Sequence, residues 1–201
     1  MMTTSRYMML AALLCASNAQ SDEVTEQIDA ARGAYESGEL RNALQTLQFA
    51  EAKIQEQITD RVLTLLPEPL GGWEAEAAAS ESSGMMAAMI AGTTISRRYF
   101  KPEGPEVEMR IMADSPLISM MTMMLSAPMM MQADPNSRVY SHGKNRGMIK
   151  HDNDSGEVEI TLMVGSRILI QVTGRNGADQ QAIEAYLNAL DIDKVEKGLL
   201  G

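Results

Sequence analysis

The spacing of apolar residues in the first third of the chain predicts two amphipathic helices. From residue 22 onward, apolar residues recur every three or four positions. The first helix carries Val24, Ile28, Ala31 and Tyr35. After a break at Ser37-Gly38, the second helix carries Leu40, Ala43, Leu44, Leu47, Ala50, Ile54, Ile58, Val62 and Leu65. We therefore predict a helical hairpin over residues 20–66, with the far end of the second helix packed on the following domain.

A cluster of helix-breaking residues separates this hairpin from the rest of the chain. Two prolines and two glycines in LPEPLGGW cannot continue a helix, so residues 67–73 are predicted to be a linker. Trp73, the only tryptophan, is expected to cover the edge of the next core, with an aromatic ligand platform as the alternative.

Beyond the linker the apolar period changes to two, which is typical of strands. Thr93–Phe100 and Glu106–Ala113 are predicted strands, and alternation in the second one indicates a sheet with one wet face. Four short strands follow, at residues 138–142, 148–152, 157–164 and 167–173. Asp114-Ser115-Pro116 starts one helix between these groups, and residues 179–190 form another. Residues 74–201 are thus predicted to be an α+β domain, a mainly antiparallel sheet with two packed helices.

The predicted hairpin resembles a single tetratricopeptide repeat. The resemblance rests on the small, aromatic and turn positions Ala31, Tyr35, Gly38, Leu40, Ala43, Leu47 and Ala50. Gln27 stands near the place of the early aromatic residue of that family. Since a repeat solenoid needs about three copies for stability, the lone copy implies a hairpin that docks or dimerises, with no peptide-binding groove.

Two further resemblances concern the rest of the chain. The order of elements resembles that of Mog1/PsbP-like domains, which implies an α+β layered fold. The tract from LPEPLGGW through TTISRRYF and ADSPLI to ALDIDKV is similar to uncharacterised exported proteobacterial proteins. That similarity carries no activity to transfer.

The first 19 residues are typical of a secretory signal peptide. Arg6 precedes an apolar stretch from Tyr7 to Cys15, and small residues follow up to Ala19, where we expect cleavage. A membrane anchor is the alternative, but the stretch is about half of the roughly 20 residues that a spanning helix needs. Leu14 before the sole cysteine disfavours lipidation. The expected location is periplasmic or secreted, with no transmembrane segment in the mature chain.

Cleavage also changes the chemistry that the chain offers. The mature chain has no cysteine, hence no disulfide and no thiolate ligand. Loss of Arg6 removes one of 17 basic residues and none of the 27 acidic ones, so the formal net charge changes from −10 to −11. This acidity argues against a nucleic-acid partner and against a polybasic lipid-binding surface.

Methionine is the residue type whose number and clustering are most unusual in this sequence. Of 18 methionines, seven lie between residues 120 and 131, and they define a predicted contact surface: Met120, Met121, Met123, Met124, Met129, Met130 and Met131. Thioethers fill core gaps, form pliable contacts and bind soft metals, so three roles are open. In the metal alternative, copper(I) is held by Met123, Met129, Met130 and Met131.

Candidate catalytic residues are sparse. His142 ends a predicted strand, and His151 begins a polar stretch that reads as a hairpin turn and departs from the calcium-loop pattern. No serine lies in a nucleophile motif. The sequence therefore favours an exported binding or assembly protein with a protein partner or self-association, without catalysis and without a cofactor, with a copper(I)-binding protein as the alternative.

Overall fold

The structure is a computed structural model, and it describes residues 19–80, 93–115, 117–126 and 135–201. Contact density divides the chain into two compact units, residues 1–57 and residues 58–201. This division falls inside the second helix, ahead of the predicted linker. Among the described residues, none of the helices combines the length with the apolar content of a membrane-spanning segment.

The helical part follows the predicted pattern. Helix α1 spans Ala19–Glu36 and helix α2 spans Leu40–Leu63. The turn between them depends on Gly38, whose φ of 83° is a conformation that glycine adopts without strain. The amide of Glu39 closes the turn by donating to the carbonyl of Ala34 at 2.8 Å. The end of α2, from Ile58 onward, belongs to the second unit, where Val62 and, just after the helix, Leu66 are part of the main core, as expected.

The second unit is an antiparallel eight-stranded sheet with helices on it, so the predicted α+β class is confirmed. Its strands are β1 (Glu74–Ala75), β2 (Ala79–Ser80), β3 (Thr93–Phe100), β4 (Glu106–Ala113), β5 (Ser137–His142), β6 (Asn145–His151), β7 (Val158–Val164) and β8 (Ile168–Arg175). Helix α3 (Leu117–Ser126) comes between β4 and β5. Helices α4 (Gln180–Ala189) and α5 (Ile192–Leu200) end the chain.

The strand order is β1-β3-β4-β8-β7-β6-β5, with β2 also paired to β3. The chain leaves β4 in the middle of the sheet, passes through α3 and re-enters at the far edge as β5. Three hairpins then return it to β8, which pairs with β4 from Glu106↔Arg175 to Ala113↔Ile168. The two-residue strands β1 and β2 were not predicted.

One face of the sheet forms the main core. Alternate residues of the central strands, such as Ile111, Ile160 and Ile170, are fully buried there against α4 and α5. Helix α4 begins at the predicted place, since the Asp179 carboxylate caps it by accepting from the amide of Ala182 at 2.9 Å. Helix α5 was not predicted, although Asp191 caps it in the same way.

The predicted linker is held firmly against this core. The carbonyl of Pro67 accepts hydrogen bonds from the Tyr99 hydroxyl at 2.8 Å and from Arg97 Nη1 at 2.9 Å. Tyr99 stacks on Tyr186 with ring centroids 4.1 Å apart, and Trp73 meets Tyr186 edge-on at 5.5 Å. Trp73 therefore covers the edge of the core, as predicted.

Candidate functional site

The candidate site is the second face of the sheet, where α3 lies. The start of α3 is fixed by Asp114, whose carboxylate accepts two hydrogen bonds from the Arg167 guanidinium, at 2.7 and 2.8 Å. This bidentate pair holds the pKa of Asp114 below its ordinary value. The Ser115 hydroxyl caps the helix by accepting from the amide of Leu117 at 3.3 Å. The predicted helix start is thereby confirmed.

Beneath α3 lies a compact group that we call the methionine cluster: Met112, Ile118, Met121, Met148, Met163 and Leu169. Strand register explains the assembly. Leu169 of β8 stands opposite Met112 on one side and opposite Met163 on the other, so the three form a row across the sheet. Four thioethers from β4, α3, β6 and β7 thus meet in one place.

A hydroxyl group also reaches this cluster. The Thr122 Oγ1 atom lies 2.8 Å from the carbonyl oxygen of Ile118, to which it donates, and 3.5 Å from the sulfur of Met163. The cluster therefore combines apolar packing with a hydroxyl group at its rim, supplied by the exposed Thr122.

The outer side of α3 has a different character. Met121 is only 8% exposed, whereas Met120 and Met123 are 56% and 66% exposed, and Leu117 joins them. Val139 of β5 is exposed as well, and its register partner is Met148 of the cluster. We call Leu117, Met120, Met123 and Val139 the methionine surface. Within the described part of residues 58–201, these four are all of the exposed large apolar side chains.

The remainder of the second face is polar and internally neutralised. Arg175 bonds both Glu108 and Glu157, at 3.0 and 2.8 Å, and the carboxylate of Glu157 raises the pKa of the arginine. Arg110 pairs with Glu108 at 2.7 Å, and Arg98 pairs with Glu76 and Glu106. Because these arginines have carboxylate partners, this region offers no strong attraction to a charged ligand. The apolar end of the face is the better candidate.

The predicted contact residues fall into three groups: exposed, buried and outside the described part of the chain. Met120 and Met123 lie on the surface. Met121 is buried in the methionine cluster, because its side of the helix faces the sheet, and this removes it from the contact surface. The side chain of Met124 and residues Met129, Met130 and Met131 lie outside the part of the chain that the structure describes. The predicted copper set is therefore represented by Met123 alone.

The two histidines are not brought together. His142 ends β5 at the β5–β6 turn, whereas the amide of His151 bonds the carbonyl of Asn136 at the other end of this hairpin. A strand of this length separates them by roughly 20 Å. The turn after His151 is a solvated loop, in which Asp152 accepts from the amides of Asp154 and Ser155. Those bonds lower the pKa of Asp152. Among the described residues, no three histidine, cysteine, aspartate or glutamate side chains converge on a metal site.

Sequence reasoning missed three of the four methionines in the cluster. Met112, Met148 and Met163 are isolated methionines in strands, without the density that marks residues 120–131. A partial signal existed, because alternation places Met112 on the face opposite Ile111. The order of the strands, which brings the three together, is not encoded locally.

Comparison with known proteins adds no family to this picture. Neither a protein-family model, nor a curated protein, nor a solved structure matches this chain. The tetratricopeptide-like hairpin, the Mog1/PsbP-like order and the exported relatives therefore stay predictions.

Proposed function

We propose that this chain is an exported binding or assembly protein, and that its methionine surface contacts an apolar region of a partner. One observation carries the proposal: the four exposed large apolar side chains of the described part of residues 58–201 lie on α3 and on β5, whose Val139 stands opposite Met148 of the methionine cluster. Single exposed apolar residues are ordinary on a protein surface, whereas a group of them marks an interaction site.

The layer beneath this surface supports the same function. Helix α3 rests on thioether side chains, which are unbranched and adapt their conformation more readily than isoleucine or valine. The outward Met120 and Met123 have the same property. A surface that is pliable on both sides of its helix suits a partner whose contact residues vary in shape.

The export part of the proposal rests on the leader pattern of residues 1–19. Mass spectrometry of the protein purified from its native cells tests it, since cleavage after Ala19 yields a chain with the mass of residues 20–201, or of their form with Gln20 cyclised to pyroglutamate. A mature protein that retains Met1, or one found only in the cytosolic fraction, would contradict export.

Site-specific photocrosslinking in living cells tests the contact surface. A photoreactive residue at Met123 should capture a partner, and the yield should fall several-fold when Met120→Ser is added. The control places the same probe at Lys194, which is exposed on α5, the helix that packs on the other face of the sheet. The captured protein, identified by mass spectrometry, should then bind purified residues 20–201. Equal capture at Met123 and Lys194 would rule out this surface.

A second candidate is copper(I) binding, favoured by the four thioethers of the methionine cluster. The mature chain has no thiol, so thioethers are its only soft ligands, and three or four of them would satisfy the ion. Met112, Met121, Met148 and Met163 come from separate elements and pack in one group. They differ from the ligands predicted from sequence, of which only Met123 is described.

An anaerobic copper(I) titration against a chromogenic chelator tests this candidate on residues 20–201. Stoichiometric binding should weaken at least tenfold in Met121→Leu and in Met163→Leu, because leucine keeps the bulk and removes the sulfur. Met109→Leu is the control, since Met109 is buried on the other face. A Met129→Leu, Met130→Leu, Met131→Leu variant tests the ligands predicted from sequence. If the wild-type chain does not compete with the chelator, both sets are excluded.

A further inference from the structure

The hairpin of residues 19–57 leaves its large apolar side chains exposed. Among the described side chains of residues 23–57, the three fully buried apolar ones are alanines, Ala31 on α1 and Ala43 and Ala50 on α2. The exposed ones are Ile28, Tyr35, Leu40, Leu44, Leu47, Phe49 and Ile54. Small residues therefore mark the line along which the helices approach, while the residues with the most apolar area contact solvent.

Six of these seven lie on one side of the hairpin. On α2, Leu40 comes three residues before Ala43 and Leu47 four residues after it, so both lie beside the buried line. Ile28 and Tyr35 have the same spacing around Ala31 on α1. On each helix, these residues are rotated about the helix axis in the same sense from the buried alanines. Because the two helices of a hairpin run in opposite directions, this rotation places both rows on the same side of the hairpin. We call Ile28, Tyr35, Leu40, Leu44, Leu47 and Ile54 the apolar side.

The row on α2 has the spacing of a helix-pairing seam. Leu40, Leu47 and Ile54 are seven residues apart, and Leu44 adds the intermediate position, which is the heptad pattern of helices that pack along each other. Leu40 and Ile54 are also equidistant from Leu47. A two-fold axis at Leu47 therefore matches Leu40 of one copy with Ile54 of another, and such self-matching is what an isologous interface requires.

We propose that the apolar side binds the apolar side of a second copy of this chain, with the two α2 helices antiparallel and crossing at Leu47. This interface is separate from the methionine surface.

The position of Glu51 selects the antiparallel arrangement. Glu51 is exposed and lies seven residues after Leu44, so it occupies the same heptad position and its carboxylate lies in the seam. In a parallel pair the two Glu51 carboxylates would face each other, and like charges at the same level of a seam repel. In an antiparallel pair centred on Leu47, each Glu51 lies four residues from the axis, which separates the two by roughly 12 Å along the helix.

The available area sets the expected strength. The six side chains are between 41% and 67% exposed. A large aliphatic side chain has roughly 100 Å² of apolar area, and tyrosine more, so two copies would bury about 700 Å² of apolar surface. With the usual apolar share of an interface, the total is about 1,200 Å², near the lower limit of specific interfaces. A weak dimer in equilibrium with monomer is therefore expected.

Sedimentation equilibrium of residues 20–201 over a range of concentrations tests the association. We expect monomer and dimer in the wild type and an at least tenfold weaker dimer in Leu47→Glu. Gln45→Glu is the matched control, because it adds the same charge to the opposite side of α2, and it should dimerise like the wild type. Circular dichroism confirms that both variants keep their helices. A wild type that stays monomeric up to about 1 mM would overturn the proposal.

Cysteine substitution tests the arrangement, since the mature chain has no cysteine of its own. Leu47→Cys should form a disulfide-linked dimer under mild oxidation. Leu40→Cys alone should not, whereas a mixture of Leu40→Cys and Ile54→Cys should form the mixed dimer. Crosslinking of Leu40→Cys alone would overturn the antiparallel pairing. A dimer that survives Leu47→Glu would overturn the assignment to this seam, and neither result depends on the methionine surface.

Discussion

The two faces of one sheet differ in chemistry although the same strands form both. Among the residues that the structure describes, the main core contains 22 buried ones, of which Met109 is the only methionine. The methionine cluster on the other face has six residues, four of them methionines. Neighbouring residues show the contrast, because Ile111 faces the main core and Met112 faces α3. Strand alternation has thus separated rigid, branched side chains from pliable, unbranched ones.

This separation implies that the two faces have different roles, one in stability and one in contact with a partner. The branched side chains have few rotamers and pack closely between the sheet and α4, α5 and the end of α2, so they fix the fold. The thioethers lie under a single helix with a solvent-facing outer side. Such a layer can adjust to a partner more readily than the main core can.

The largest expected effect comes from opening a cavity on each face. Ile170→Ala should cost about 4 kcal/mol, and Leu169→Ala, in the same strand but facing α3, about 2 kcal/mol, since pliable neighbours collapse into a cavity more readily. Urea unfolding of residues 20–201 measures both. Equal costs would mean that the methionine cluster packs as rigidly as the main core.

A methyl group added to Gly147 tests how tightly the main face is packed. A Cβ atom at Gly147 would contact the backbone oxygen of Thr161 and lie 2.8 Å from the Cα of Leu162, so β6 and β7 would have to separate. Gly147→Ala should cost about 1–3 kcal/mol. Gly71→Ala, at a glycine with open space around it, should stay within about 0.5 kcal/mol of the wild type. If Gly147→Ala does not lower the stability, β6 and β7 can separate at this point at little cost.

Replacing a buried side chain by another of similar size distinguishes the pliable packing of the methionine cluster from the rigid packing of the main core. Met121→Leu should cost about 0.5 kcal/mol or less, because its neighbours can adjust. Ile111→Leu moves a branch point within the rigid core and should cost about 1 kcal/mol. Thermal unfolding of the two single variants makes the comparison. A larger cost for the methionine would indicate that its shape or its sulfur is specifically required.

The smallest effect concerns the ion pair at the start of α3. Because Arg167 lowers the pKa of Asp114 in the folded protein, the carboxylate contributes stability above its ordinary pKa of about 4, and this is lost as pH falls through the lowered value. Asp114→Asn keeps the backbone conformation, with φ of 56°. The Tm difference from the wild type should therefore be small, constant near neutral pH, and absent in strong acid. A difference that persists there would have another cause.

Much of the fold followed from local pattern. The sequence predicted strands β3 and β4, the starts of α3 and α4, and strands β5 to β8 within a few residues. Alternation, capping residues and turn residues are local signals, which is why these elements could be predicted. Helix α5 was missed although Asp191, Ile192 and Val195 carry its cap and its buried positions. Only two residues lie between the end of α4 and the start of α5. The apolar spacing of α4 runs up to Leu190, so the sequence was interpreted as one final helix ending there.

The candidate site was predictable only in part. Residues 120–131 drew attention through their density of methionine, and α3 does present Met120 and Met123 to solvent. Which side of α3 faces the sheet could not be read from sequence, since apolar residues surround most of that helix. The partners beneath it depend on β8 pairing with both β4 and β7, which is a property of topology.

The graded exposure of the methionines has a consequence for oxidative damage. Oxidation converts a thioether into a polar sulfoxide, and accessible sulfur reacts first. Met120 and Met123 would thus be modified well before Met121, which is 8% exposed. An oxidant would make the two methionines of this surface polar while Leu117, Val139 and the sheet beneath stayed intact, and methionine sulfoxide reductase would restore them without refolding.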